Sequence, residues 1–182
     1  QTDGKLIAVG KTCTMGSCDD YNSLVMRLNS NGSLDTSFAA GGIVNLDTDP
    51  NAWTEQLNEV SIAANGNIVA AGYACISGAP GTCGNTNAMA LRLNSYGVLD
   101  SGFGVGGVKS FSVGTGNDYV DGLYLESSGA VWLGGYSDSA TGVDFMLASL
   151  DDSGLLNTAF SGDGKYLSSI QSHNFAHALL RQ

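Results

Sequence analysis

Apolar and polar residues alternate along this chain in short bursts. In "LVMRLN" (Leu24–Asn29), "AMALRLN" (Ala88–Asn94) and "FMLASLD" (Phe145–Asp151) the apolar positions skip every other residue, so that Met26 and Leu28 flank Arg27, and Leu91 and Leu93 flank Arg92. A period of two puts alternate side chains on opposite faces and predicts strands. Ahead of each burst stands a shorter apolar run behind a glycine turn: "DGKLIAVG" at Asp3, "NGNIVAAG" at Asn65 and "SGAVWLGG" at Ser128. Behind each comes a turn, "NSNGSLD", "NSYGVLD" or "DDSGLLN". A phenylalanine follows (Phe38, Phe103, Phe160), then a glycine-rich corner and the strand-like "GIVNL", "GVKSFSV" or "KYLSSI". The last apolar segment of a unit reads "NEVSIAA" or "DGLYLES".

The same order of elements therefore occurs three times, in units 3–64, 65–127 and 128–182, within a single repeat domain spanning 1–182. About four short antiparallel strands per repeat is the make-up of a β-propeller blade. The fold class read from the pattern is all-β, with about three four-stranded antiparallel blades of propeller type. A leucine-rich repeat would need a helical half, which the pattern lacks, and a β-sandwich does not call for a repeated sequence.

"QTDGKLIAVG", "RLNSNGSLDTSF" and "RLNSYGVLDSGFG" resemble the bacterial delta-60 repeat family, in which a turn-strand is followed by an RLN-x-x-G-x-LD-x-x-F signature. The third copy departs from it: Ser149 stands for the arginine and Asn157 for the aspartate. The resemblance implies a propeller-like module that is secreted or exposed on a bacterial surface. It brings no catalytic set with it.

The closing segment "NFAHALLRQ" matches the strand that precedes the glycine turn in the other units, so "ALLRQ" would lead naturally into "TDGKL". First and last strands are thereby expected to complete one blade together. Three blades are fewer than the roughly four to eight of a closed propeller, and an uncovered strand edge invites pairing with another chain. The expectation is a homo-oligomer or part of a longer repeat array. With Gln1 rather than methionine in front and no signal segment, the chain reads as a processed product or an excised piece.

Composition sharpens this picture in two places. There are 17 acids against 7 bases, a net charge of −10, so a nucleic-acid partner, which needs a basic footprint, is not expected. Membrane insertion is not expected either, because no apolar run approaches the length of a bilayer span. The four cysteines fall in two local pairs at matching repeat positions, Cys13 with Cys18 and Cys75 with Cys83. Their spacing is not that of a usual zinc site. Two disulfide loop staples are favoured over free thiols or metal, which points to an oxidising compartment, extracellular or at the cell surface.

Candidate chemistry is sparse. "NSNGSLD" offers oxygen ligands but lacks the late glutamate of a calcium loop, and a hairpin turn that bonds its own backbone explains it better. Asp35, Asp100 and Asn157 recur as corner residues ahead of a core Phe. Arg27 and Arg92 would bind an anion or, the favoured reading, pair with a neighbouring blade. "HNFAH" spaces His173 and His177 like a helical metal pair, but the segment aligns with a strand. No metal site and no cofactor are expected. Nor is an enzyme: there is no G-x-S-x-G elbow, and paired carboxylates such as Asp118 and Asp121 are a weak sign of glycoside hydrolysis. The loops "NAWTEQ", "GNDYV" and "SHNFA" each set an aromatic beside amide, acid or imidazole groups. Sugar sites combine such platforms with fixed polar groups. The candidate ligand-binding residues are Trp53, Glu55, Asp118, Tyr119, His173 and Asn174, with packing of these aromatics between blades as the competing reading. The functional expectation is a recognition or adhesion module of a bacterial surface or fibre tip that binds a cell-surface glycan or protein. Its rivals are a self-assembling structural segment and a secreted hydrolase.

Overall fold

A computed structural model describes residues 1–13, 20–48, 54–79, 82–139, 142–168 and 175–180. The alternating segments are strands, and they form three antiparallel meanders. The first sheet holds β1 (Leu6–Cys13), β2 (Tyr21–Leu28) and β3 (Ile43–Leu46) in that order. The second holds β4 (Glu55–Ile62), β5 (Ile68–Ala79), β6 (Thr82–Leu93) and β7 (Val108–Phe111). The third holds β8 (Asp118–Leu125), β9 (Val131–Ser139), β10 (Gly142–Leu150) and β11 (Lys165–Ser168). The protein is all-β, as its pattern predicts, with repeated antiparallel blades of three or four strands. Register repeats with the sequence: Val9 faces Val25, Ala71 faces Ala90, and Gly134 faces Leu147.

Because a sheet has two faces, the second blade buries one against the first blade and the other against the third. Ile68, Ala70, Met89, Leu91 and Leu93 of the second blade meet Val25, Phe38 and Val44 of the first. Its opposite face, with Val69, Ala71, Ala88, Ala90 and Phe103, meets Val131, Leu133, Met146, Ala148 and Leu150 of the third. A latch accompanies each joint. Arg27 Nε bonds Asp35 of its own blade at 2.7 Å, and its Nη1 reaches the Ser95 carbonyl of the next blade at 2.7 Å. Arg92 likewise bonds Asp100 at 2.8 Å and crosses to the Asp152 carbonyl and carboxylate at 2.6 and 2.8 Å. Each guanidinium lies over the buried ring of its own blade, Phe38 or Phe103. In the third blade both partners have changed, and Asn157 Nδ2 lies 3.4 Å from Ser149 Oγ.

Two details differ from the sequence reading. The blade cuts the chain one strand earlier than the repeat units do, since β4 pairs with β5 and not with the first sheet. Residues 55–56 and 118–120 lie in strands, not in loops. They open β4 and β8 because their acids find buried partners there, as described next.

Candidate functional site

The strands β4 and β8 each open on an acid that turns inward. Glu55 is almost fully buried, and its Oε1 accepts bonds from the backbone N–H and the hydroxyl of Thr48. Asp118 occupies the same place in the third blade and accepts the N–H groups of Val113 and Gly114 at 2.9 and 3.0 Å. Both carboxylates tie down the loop that enters the blade, so neither is displayed to solvent as a sugar-facing acid would be. Alternation along the strand sends the next residues, Gln56 and Tyr119, to the opposite side.

Both first strands then bulge. Pairing slips between Leu57 and Glu59 in one blade, and between Val120 and Gly122 in the other, leaving Asn58 and Asp121 as the extra residues. A bulge re-aims its side chain, and here the two reach toward each other. Asn58 Nδ2 donates to the Val120 carbonyl at 2.8 Å and to Asp121 Oδ1 at 2.9 Å. His177 Nδ1 lies 3.6 Å from the other oxygen of Asp121. Gln56 extends the row, donating to Asn58 at 2.6 Å and accepting from the Tyr73 hydroxyl at 3.0 Å.

Beside this polar row runs a chain of rings. Tyr73 meets Tyr119 edge-on at 4.9 Å, Tyr119 stacks on its cross-strand partner Tyr136 at 4.9 Å, and Tyr136 meets Phe175 edge-on at 5.0 Å. The His177 ring lies parallel to Phe175 at 6.0 Å. Tyr73, Tyr119 and Tyr136 are half-buried, while Phe175 and His177 are exposed. Burial, aided by the nearby Asp121 charge, pushes the Tyr136 hydroxyl up to about 12. The Tyr73 hydroxyl is also raised, first by burial and then by Tyr119 and Asp121. Glu59 is raised as well, by burial and then by Asp121. The result is a row of ring faces and edges next to amide, carboxylate and imidazole groups, a combination that can hold a sugar ring or a peptide side chain.

Of the residues singled out from sequence, Tyr119 lies in this row, whereas Glu55 and Asp118 lie beneath it as buried anchors. Trp53, His173 and Asn174 lie outside the described residues. Tyr73, Tyr136, Gln56, Asn58 and Asp121 were not singled out as ligand residues. Tyr73 and Tyr136 hold one repeat position, as do Asn58 and Asp121, so aligning the units on their glycine turns would have found them. Cys75 and Cys83 are joined by a disulfide across the β5–β6 hairpin, with their Cα atoms 5.7 Å apart. It points to an oxidising compartment. Cys18 lies outside the described residues, and with it the expected Cys13–Cys18 staple.

With this geometry in view, the chain can be set beside known proteins. A family described as "Domain of unknown function (DUF5122) beta-propeller" matches residues 1–38, the span from β1 through the turn to Phe38. No curated protein matches the chain.

Proposed function

We propose that this chain is an extracellular recognition module that holds a cell-surface glycan or protein against the row Tyr73–Tyr119–Tyr136–Phe175. The carrying observation is that these rings touch one another across two blades while Gln56, Asn58, Asp121 and His177 stand beside them. Aromatic faces supply contact area at low entropic cost, and the neighbouring polar groups supply orientation. The disulfide and the likeness of the repeat to delta-60 proteins support a secreted, surface-exposed setting. A glycan array and a bacterial-envelope binding assay test the reading. Binding should be lost in Tyr119→Ala and weakened in Asp121→Asn. A folded protein that retains no glycan and no envelope component would sink it.

Two further readings each have an observation in their favour. A self-assembling structural segment is favoured by Leu6, 56 % exposed on the first blade, and by the apolar groove of Trp132, Leu147, Leu179 and Leu180 on the third. A secreted hydrolase is favoured by Glu59, a carboxyl held above its usual range next to Asp121. Release of reducing sugar from polysaccharide, abolished in both Glu59→Gln and Asp121→Asn, would favour hydrolysis over binding.

A further inference from the structure

We propose that the cleft between the β4–β5 turn and the β8–β9 turn is a second ligand site, which takes one neutral sugar ring by two neighbouring hydroxyls. It stands at the far end of β4 and β8 from the tyrosine row, and neither site needs the other.

The cleft opens at the joint between the second and third blades and has a volume of about 260 Å³, near the lower end of small-ligand sites. Val69 of β5 and Leu125 of β8 give it an apolar surface. Asn65 and Asn67 line it from one turn and Ser127 from the other, with Arg92 and Asp152 between them.

Comparison of the repeats shows what sets this joint apart. In the first blade the pair Arg27–Asp35 is closed on all sides. Lys5 Nζ lies 2.8 Å from Asp35 Oδ2. The Ser37 hydroxyl accepts from Arg27 Nη2 at 3.3 Å and donates to Asp35 Oδ1 at 2.6 Å. The second blade writes the same pair, Arg92 and Asp100, and exchanges both neighbours: Asn67 stands for Lys5, and Gly102 for Ser37. Asn67 Nδ2 reaches Asp100 Oδ2 only at 3.5 Å. Gly102 offers no hydroxyl, and Arg92 Nη2 has no partner among the described residues. The Asp100 side chain is accordingly 26 % exposed, against 7 % for Asp35. The two exchanges thus uncover a guanidinium and a carboxylate side by side at a cleft that Arg92 and Asn67 both line.

The uncovered groups select the ligand. Arg92 offers N–H donors, and so does Asn65 Nδ2, since the Asn65 carbonyl oxygen already accepts the N–H of Asn67 at 3.0 Å. Asp100 and Asp152 accept, and the Ser127 hydroxyl can do either. An anion only accepts, and it would face the carboxylates of Asp100, Asp152 and Glu126 on a chain of net charge −10. An ammonium only donates, and it would leave the guanidinium and amide donors facing a cation. A hydroxyl accepts and donates at once, so two adjacent hydroxyls can span the guanidinium and a carboxylate. The C–H face of the same ring then covers Val69 and Leu125, the combination of apolar wall and a few fixed polar groups that small-ligand sites use. For a single ring in a partly open cleft, a Kd on the order of 1 mM is expected.

The test is titration of the isotope-labelled chain with the methyl glycosides of glucose, galactose and mannose, followed by backbone amide shifts, with methyl glucuronide as the anionic control. Asn67→Lys with Gly102→Ser rebuilds the first blade's closed pair. A Cβ on Gly102 would lie 3.2 Å from Asp100 Oδ1 and 3.8 Å from Arg92 Nη2, so a serine there has both groups within reach. Expected are shifts at Asn65, Asn67, Ser127 and Gly129 with at least one neutral glycoside, and no response to the glucuronide. The shifts should vanish in the double variant with its urea midpoint kept, and persist in Tyr119→Ala. Where the double change lowers the midpoint, Asn67→Lys alone carries the same expectation. No shift at the cleft with any neutral glycoside well above that Kd would overturn the site. Shifts centred on Tyr73, Tyr119 and Tyr136 that survive the double change and vanish in Tyr119→Ala would also overturn it, while supporting the tyrosine row. A stronger response to the glucuronide would overturn the ligand class.

Discussion

Phe38, Phe103 and Phe160 occupy one position of the repeat, and truncating each to alanine asks how much of a blade's stability comes from the blade that follows it. Phe103 is fully buried in the joint between the second and third blades. Arg92 covers one side of its ring, with the guanidinium 5.0 Å from the centroid. The third blade's turn closes the other, so that even a methyl group on Gly154 would come within 3.0 Å of the ring. Little can collapse into the hole, and Phe103→Ala is expected to cost about 4 kcal/mol, within the range for buried Phe→Ala changes. Phe38→Ala should cost a similar amount, since its ring is as fully buried and Gly97 of the next blade lies as close. Phe160 is only half-buried, with Trp132 edge-on at 5.0 Å. Losing half of the ~2–3 kcal/mol of a buried Phe gives ~1–1.5 kcal/mol for Phe160→Ala. Urea unfolding measures all three, at a concentration where sedimentation gives a single chain and with m-values checked for equality. If Phe160→Ala cost as much as Phe103→Ala in the monomer, burial by the following blade would not be what the ring contributes.

Three further outcomes follow from the charges and the rings. Arg92→Ala should cost ~1–2 kcal/mol by double-mutant cycle, since it breaks charged hydrogen bonds at a partly exposed site; Arg92→Ser with Asp100→Asn, which copies the third blade's pair, should cost less than the sum of the two single changes. Spectrophotometric titration should find that Tyr73 and Tyr136 ionise above the usual tyrosine range. Their pKa values are raised in the fold, so the stability they contribute is complete below the unfolded value near 10 and is lost as pH rises through the raised folded values, about 12 for Tyr136. Tyr136→Phe should flatten that alkaline limb, and Asp121→Asn should change it less, because burial is the larger cause. Asp35 is held well below the usual carboxylate range, first by Lys5, then by Ser37, with Arg27 also contributing. Its stabilisation is present above about pH 4 and is lost as pH falls toward the folded value. Asp35→Asn should therefore lower the urea midpoint at pH 6 and bring the two proteins together in acid.

The fold was legible because its forces are local and repeated. Alternation in "LVMRLN" and "AMALRLN" marks strands, and glycine turns fix where each begins, so three copies of one order of elements leave little else to build. The bulges were not legible. Nothing in "NEVSIAA" or "DGLYLES" announces that pairing slips at Asn58 and Asp121, and it is the slip that turns these side chains toward the neighbouring strand. The acids misled for a related reason. Glu55 and Asp118 look like loop residues beside aromatics, but buried N–H groups of the entering loop need acceptors, and a carboxylate at the start of the strand supplies them. Tyr119 was visible as an aromatic beside polar groups, while its partners Tyr73 and Tyr136 lie just past the apolar runs "NGNIVAAG" and "SGAVWLGG", where the alternation does not mark them.

The third copy's departures from the repeat show what holds one blade to the next. Arg and Asp have been exchanged there as a pair. Ser149 alone would leave the aspartate without its partner, and Asn157 alone would strand the arginine, each costing more than the pair itself contributes. Changed together they fall back on a weak neutral contact at 3.4 Å. What the third blade gives up is the charged reach across to a following turn. What it keeps is the apolar face around Trp132 and Leu147, with Leu179 laid over Gly134. The third blade thus dispenses with the charge and retains its apolar face. That is the division expected where water exclusion and close packing, rather than ion pairs, provide most of the attraction.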